Sequence, residues 1–118
     1  MNGKIYSVTR LVKAFGYSWR GLKFTWHNET AFQQEILALL VMLPLAFWLP
    51  ETRIESALLV MSLFVVLITE LINTAIEAAI DRHGDEHHHW SGVAKDVASS
   101  AVLLALIQCA IVWLLVLF

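Results

Sequence analysis

Apolar and polar positions divide the chain into four predicted helices. Apolar side chains dominate about residues 31–49, 55–80 and 97–118, and each segment approaches the roughly 20 residues that a helix needs to cross the hydrocarbon core of a bilayer. Before them, in about residues 6–26, apolar residues recur at helical spacing and basic residues lie between them. We therefore expect one all-α membrane domain covering residues 1–118, with an N-terminal amphipathic surface helix followed by three transmembrane helices.

The predicted surface helix has one apolar face and one basic face. Its apolar side chains recur in steps of three or four residues, which places them on the same side of a helix. These are Val8, Val12, Phe15, Trp19, Leu22 and Trp26, and the residues opposite are Arg10, Lys13, Tyr17 and Arg20. A basic face with tryptophans at its border is typical of a helix that lies in the lipid headgroup region. An amphipathic helix of a soluble protein would share this pattern.

The composition favours the membrane. Of the 118 residues, 58% are hydrophobic and 15% are charged, and the mean hydropathy is +0.67. A water-soluble domain of this size has too little interior to bury so much apolar surface. The single cysteine, Cys109, excludes an intramolecular disulfide. Residues 1–30 lack the continuous apolar core and small-residue cleavage site of a signal peptide, so we expect the apolar segments to be permanent.

The basic residues predict an orientation. Five of the eight lysine and arginine residues precede the first apolar segment, and Arg82 and Lys95 lie in or next to the second loop. The first turn holds only Arg53. By the positive-inside rule, the N-terminus and second loop should be cytoplasmic, and the first turn and C-terminus should lie on the opposite side.

The second apolar segment ends in a polar stripe. At about 100° per residue, Glu70, Glu77 and Asp81 lie within about 40° of one another around a helix, and Asn73 is about 60° from Glu70. A carboxylate near the centre of a lipid-facing helix costs about 2.5–3.5 kcal/mol on insertion scales, so these side chains should face protein or water. Asn28 and Glu35, seven residues apart, share one face of the first span, and we expect this second polar stripe to meet the first within or between subunits.

Three kinds of function suit this stripe. The first is phosphoryl chemistry, because Mg²⁺ typically takes one or two carboxylates together with phosphate oxygens. Lys95, Arg10 and Arg82 would neutralise phosphate charge, and the deeper Glu70 suits a general base. The second is a proton or cation pathway, and the third is a polar contact between subunits. The sequence has neither a Walker phosphate loop nor a kinase glycine-rich loop, so any nucleotide site must differ from those.

Three stretches carry a resemblance to a known family. "GYSWRGLKFTWHNETAFQQE", "ELINTAIEAAIDR" and "SGVAKD" resemble the bacterial integral-membrane diacylglycerol kinases along nearly the whole chain. The resemblance implies a homotrimer of three-span subunits in the bacterial inner membrane. The C-terminus, placed opposite the cytoplasm by the basic residues, would then be periplasmic, and we expect no nucleic-acid partner. The family resemblance also implies transfer of the ATP γ-phosphate to the free hydroxyl of diacylglycerol, with Mg²⁺ as cofactor and phosphatidic acid as product.

The resemblance also implies roles for individual residues. Glu29 and Glu77 would hold the metal, and Glu70 would accept the proton of the lipid hydroxyl. The residues implied to contact ATP are Arg10, Tyr17, Glu29, Glu77, Glu86, His87, His88, Lys95 and Asp96. Those implied to contact the lipid substrate or support the pocket are Arg10, Glu35, Glu70, Asn73 and Ser99.

Other interpretations stay open at this point. Undecaprenol kinase is the activity of a related branch, although "WHNETAFQQE" looks closer to the diacylglycerol type. A small proton or cation transporter would use the same polar stripe but leaves "SGVAKD" unexplained. Gln33 stands where a basic residue is common in the family. His87, His88 and His89 would suit a transition metal or form part of a solvated loop.

Overall fold

The chain folds into four helices in the computed structural model, which describes residues 7–82 and 88–118. The helices are α1 (Val8–Asn28), α2 (Thr30–Trp48), α3 (Arg53–Asp81) and α4 (His89–Leu117). These described ranges contain no strand, and α2, α3 and α4 are each long and apolar enough to cross a membrane. The prediction of an all-α multi-pass membrane protein is confirmed.

Helix α4 begins earlier than the apolar segment inside it. The segment was expected from about residue 97, whereas the helix starts at His89. The His88 side chain caps this end, since its Nδ1 accepts a hydrogen bond from the Trp90 backbone N–H at 3.2 Å. Hydropathy marks where a helix can contact lipid, and a capping side chain marks where its hydrogen bonding begins. The residues between His89 and the start of the apolar segment at about residue 97 are therefore helical too.

The turn between α2 and α3 ends in an N-cap formed by Thr52 and supported by Glu55. The Thr52 hydroxyl accepts a hydrogen bond from the Glu55 backbone N–H at 3.2 Å, and it also donates to Glu55 Oε1 at 2.8 Å. Pro50, just after α2, cannot continue the backbone hydrogen bonding of a helix. The two helices therefore reverse direction over only the few residues between Trp48 and Arg53.

Helix α3 lies at the centre of the subunit. It packs most extensively against α4 and next against α2, and it supplies most of the buried side chains, including Leu59, Leu63, Val66 and Leu67. From α4, the buried residues include Ala98 and Ala105, which are small and allow the two helix backbones to approach closely. The outward faces of the bundle are apolar and exposed, as expected for surfaces that contact lipid or another subunit.

A polar network joins α3 to α4 within the apolar part of the bundle. The buried Ser62 hydroxyl accepts a hydrogen bond from Trp113 Nε1 at 3.1 Å and donates one to the Leu59 carbonyl at 2.7 Å. The Ser62 carbonyl accepts a hydrogen bond from Gln108 Nε2 at 2.9 Å, and Cys109 Sγ lies 3.6 Å from the hydroxyl. These bonds fix the register of the two helices at a level distant from the acidic residues.

Helix α1 makes little contact with the rest of its own subunit. Residues 8–24 are all exposed, and Thr25 is its one buried residue among those described. Both faces of the helix are therefore uncovered in a single subunit. That α1 lies on the membrane surface stays a prediction, and its apolar face would need lipid or a neighbouring subunit to cover it.

Candidate active site

Glu29 forms the junction between α1 and α2. It is the C-terminal cap of α1 and the N-terminal cap of α2, and its backbone is extended, with φ −120° and ψ 107°. Its N–H donates to the Thr25 carbonyl at 2.9 Å, but its side chain makes no capping hydrogen bond to α2. Asp, Asn, Ser and Thr are the side chains that ordinarily cap a helix at this position, and the longer glutamate side chain does not do so here. The Glu29 carboxylate is thus left available for another partner.

That partner is Glu77, near the end of α3. Burial, the charge of Glu77 and a hydrogen bond to its carboxyl group raise the pKa of Glu29 above its ordinary value. Two carboxyl groups this close share a proton or bind a cation between them. Oxygen ligands of this kind suit Mg²⁺, which takes its remaining ligands from phosphate and water. The described residues hold no cluster of three or more His, Cys, Asp or Glu side chains arranged for a metal, so those other ligands are needed.

Asn73 orients the Glu77 carboxylate. Its Nδ2 donates a hydrogen bond to Glu77 Oε1 at 2.9 Å, one helical turn further along α3. The Asn73 side-chain oxygen, Oδ1, is buried and has no hydrogen-bond partner. A buried amide oxygen without a donor is costly, so this atom can accept a hydrogen bond from a bound molecule or water.

A second acidic pair lies deeper in the bundle. Glu70 is only 4% exposed, and the half-buried Glu35 of α2 is close enough for the two carboxylates to repel each other. Glu35 Oε1 also lacks a hydrogen-bond partner. Glu70 is two helical turns, or about 10 Å, from Glu77 along α3. The predicted meeting of the two polar stripes therefore takes place inside one subunit.

Lys95 of α4 is held at the same end of the bundle. Its Nζ lies 2.7 Å from Asp81 Oδ1, and this is the one ion pair between side chains in residues 7–82 and 88–118. Asp96 and Ser99 are exposed on α4, with no side-chain hydrogen bond to the acidic residues of α3. The Lys95 ammonium group therefore lies beside the acidic end of α3, on the helix that packs most closely on it.

Two residues implied for ATP binding lie far from the acidic pair of their own subunit. Arg10 and Tyr17 line a shallow groove on α1 together with Lys13, and the Arg20 guanidinium lies 4.8 Å from the centre of the Tyr17 ring. Because α1 is one continuous helix, Arg10 is about 28 Å from Glu29 and Tyr17 about 18 Å. A single subunit does not bring these α1 side chains to Glu29 and Glu77.

The histidine segment is described in part. Glu86 and His87 lie outside the described residues. The Nδ1 of His88 caps α4, which leaves its Nε2 as the ring atom available to a ligand. The ring of His89 meets the Trp90 indole edge-on, at 5.2 Å between ring centres.

Sequence reasoning missed one polar residue in this region and the role of another. Thr74 is buried beside Asn73 with an unpartnered hydroxyl, but a threonine in an apolar helix gives no signal by itself. Asp81 was recognised as part of the stripe, and its pairing with Lys95 joins positions 14 residues apart on different helices. Only their helical register, combined with α3–α4 packing, would have indicated that contact.

The fold and the site define the class of this protein. It is an all-α, multi-pass membrane protein with an acidic site at one end of its helix bundle. The family model for prokaryotic diacylglycerol kinase matches residues 16–117. The chain belongs to the prokaryotic diacylglycerol kinase family.

Individual relatives agree with the family model. The chain is 48% identical to the diacylglycerol kinase of Escherichia coli (strain K12) over 110 residues, which cover 93% of this chain and 90% of the relative. It is 43% identical to the Haemophilus influenzae diacylglycerol kinase over 110 residues, or 93% of each chain. It is 40% identical to the Pseudomonas aeruginosa diacylglycerol kinase over 104 residues, or 88% of this chain and 85% of the relative. The likeness is thus not confined to one segment.

Proposed function

We propose that this protein is an ATP-dependent lipid kinase that phosphorylates the free hydroxyl of 1,2-diacylglycerol and releases phosphatidic acid. Membership of the diacylglycerol kinase family supports the activity. The observation that supports the location of the active site is that Glu29 and Glu77 lie together at the end of the bundle, with Glu70 about 10 Å deeper. A hydrophilic nucleotide and a membrane lipid would approach such a site from opposite sides.

Glu29 and Glu77 are the residues that would hold Mg²⁺. Their carboxylates lie together, Glu29 is not used in capping, and Asn73 fixes the orientation of Glu77. When bound with ATP, the ion supplies positive charge that offsets the charge on the phosphate oxygens during transfer. Lys95 would add a second positive charge from α4 after it exchanges Asp81 for a phosphate oxygen.

Glu70 is the proposed general base. The oxygen of the lipid hydroxyl attacks the γ-phosphorus, the bond from that phosphorus to the ADP oxygen breaks, and the hydroxyl proton passes to the Glu70 carboxylate. Its 4% exposure keeps bulk water away, so the γ-phosphoryl group of ATP would be transferred to the lipid hydroxyl in preference to water. Glu35 and Asn73 would support the polar pocket around the lipid hydroxyl.

Arg10 and Tyr17 would complete the ATP site from a neighbouring subunit. In its own chain, Arg10 is about 28 Å from Glu29, beyond direct reach. A homotrimer, with α1 of one subunit lying beside α3 of the next, would bring these residues together and cover the exposed faces of α1. His88, Asp96 and Ser99, with Glu86 and His87, would contribute from the α3–α4 connection and the beginning of α4.

The proposed site faces the cytoplasm of a bacterial inner membrane. ATP is available on that side, and the positive-inside rule places the N-terminus and second loop there. The C-terminus would then be periplasmic.

A direct assay tests this function. Purified protein in mixed micelles with Mg²⁺ and labelled ATP should convert diacylglycerol to phosphatidic acid faster than it phosphorylates undecaprenol. Failure to form phosphatidic acid would refute the proposal, and faster phosphorylation of undecaprenol would assign the chain to that substrate instead. Ion flux in sealed vesicles without ATP would favour a transporter.

A further inference from the structure

Thr74 carries a hydroxyl group whose hydrogen-bonding capacity is unused. Its side chain is 5% exposed, and Oγ1 is buried with no hydrogen-bond partner. The described residues contain two other buried hydroxyl side chains, Thr25 and Ser62. Each of those donates to a backbone carbonyl of its own helix, at 2.9 Å and 2.7 Å. Thr74 is the exception among the three.

Thr74 does not use the ordinary hydrogen-bond partner of a hydroxyl side chain in a helix. Hydroxyl side chains in helices commonly bond to the carbonyl three or four residues earlier. Thr69, on the same helix, does so with the Val65 and Val66 carbonyls at 3.0 and 2.9 Å. Leaving a buried hydroxyl unpaired destabilises the folded protein. A group retained in that state is available to a molecule that enters the site.

The position of Thr74 along α3 indicates which molecule its hydroxyl would bind. It follows Glu70 by four residues and precedes Glu77 by three, so it lies within about 60° of both around α3. Along the helix axis it is about 6 Å from the proposed base and about 4.5 Å from the proposed metal ligand. This is the level at which a γ-phosphate held near Glu77 would meet a lipid hydroxyl held near Glu70.

We infer that the Thr74 hydroxyl donates a hydrogen bond to an oxygen of the phosphoryl group during its transfer, which makes Thr74 a further catalytic residue. This inference rests on the proposed kinase function. Negative charge is spread over the three equatorial oxygens in the transition state. A neutral donor among carboxylates can approach those oxygens where a further anion would be repelled. The bond strengthens as charge develops, so it affects kcat more than KM.

The experiment compares three variants with the wild type. Thr74→Val keeps the shape of the side chain and removes the hydroxyl, Thr74→Ser keeps the hydroxyl, and Thr69→Val removes a hydroxyl that is bonded within its own helix. Thr74→Val should lower kcat about 10- to 100-fold with both KM values nearly unchanged. Thr74→Ser should restore most of the rate, and Thr69→Val should behave as wild type.

Thermal unfolding in detergent distinguishes this role from a structural one. Because the hydroxyl is unpaired in the free protein, Thr74→Val should unfold at the same or a higher temperature than the wild type. A lower unfolding temperature together with lost activity in both Thr74 variants would overturn the inference. A normal kcat, or an effect on the KM for diacylglycerol alone, would also overturn it. A wild type that is inactive toward diacylglycerol would instead refute the proposed function, and the inference with it.

Discussion

Lys95 and Asp81 form an ion pair across the α3–α4 interface, with 2.7 Å between Nζ and Oδ1. The two side chains are 43% and 65% exposed, so water weakens their attraction. The pair therefore contributes little to folding. Its effect is to keep the ammonium group beside α3, and in the proposed ATP site Asp81 would compete with phosphate for that group.

Breaking this pair from its two sides should have opposite effects on ATP binding. Lys95→Met removes a phosphate contact and should raise the KM for ATP by about tenfold or more. Asp81→Asn removes the competitor and should leave that KM unchanged or up to about fivefold lower, since exposed pairs contribute at most about 1 kcal/mol. Steady-state kinetics at saturating diacylglycerol measures both. A similar rise in KM for both variants would contradict the competition.

Neutralising Glu77 should abolish most turnover without disrupting assembly. Glu77→Gln keeps the size of the side chain and its contact with Asn73, but it removes the charge that a divalent cation requires. We expect kcat to fall at least about 100-fold, with a higher Mg²⁺ concentration needed for half-maximal rate. Glu51→Gln, on the exposed α2–α3 turn, is the matched control. Cross-linking should show the same oligomer for both variants, and a near-normal rate for Glu77→Gln would show that the metal lies elsewhere.

Replacing Glu70 should affect the chemical step and leave nucleotide binding intact. Removal of a general base typically costs about 10²–10⁴ in rate, and Glu70→Gln should fall in that range with little change in the KM for ATP. The variant should also unfold no more easily, because the repulsion between Glu70 and Glu35 is relieved. Initial rates and thermal unfolding in the same detergent test both expectations. A large rise in the KM for ATP would place Glu70 with the nucleotide.

Mixed oligomers test whether neighbouring chains share each site. Arg10→Leu and Glu77→Gln should each be inactive alone and regain activity when co-assembled, because α1 of a chain does not reach its own Glu77. A mixture of Glu29→Gln and Glu77→Gln chains should recover no kinase activity, because these two residues meet within one subunit. Recovery in both mixtures, or in neither, would contradict the proposed arrangement.

The polar network around Ser62 should contribute to stability and not to catalysis. Ser62→Ala removes the hydrogen bond from Trp113 but keeps the carbonyl that accepts from Gln108. Hydrogen bonds between transmembrane helices average about 0.6 kcal/mol and reach about 1.7 kcal/mol, so we expect a loss in that range. Ser100→Ala, whose hydroxyl is exposed and bonds to its own helix, should change nothing. Denaturation in mixed micelles gives the free energies, and kcat should stay at the wild-type value for both.

The membrane spans and the acidic stripe were predictable because both depend on periodicity and hydropathy along one segment. The apolar segments became α2, α3 and α4, and the register of Glu70 and Glu77 on one helix follows from the helical repeat. The start of α4 was not predictable from hydropathy, because His88 sets it through a capping bond.

Contacts between elements were harder to predict. The approach of Glu29 to Glu77 and the pairing of Lys95 with Asp81 depend on how α1, α2 and α4 pack around α3. The unpaired hydroxyl of Thr74 depends on burial and side-chain orientation together, which sequence spacing does not specify. Family resemblance suggested Arg10 and Glu29 for one site, whereas the length of α1 separates them by about 28 Å within one subunit, which is why the proposed site draws on two chains.

A single extended residue, Glu29, connects α1 to α2, and this has a mechanical consequence. The change of direction between the two helices and the proposed magnesium ligand therefore coincide at one residue. Any change in the angle between α1 and α2 would move the Glu29 carboxylate relative to Glu77, so the placement of the surface helix and the geometry of the proposed site are coupled.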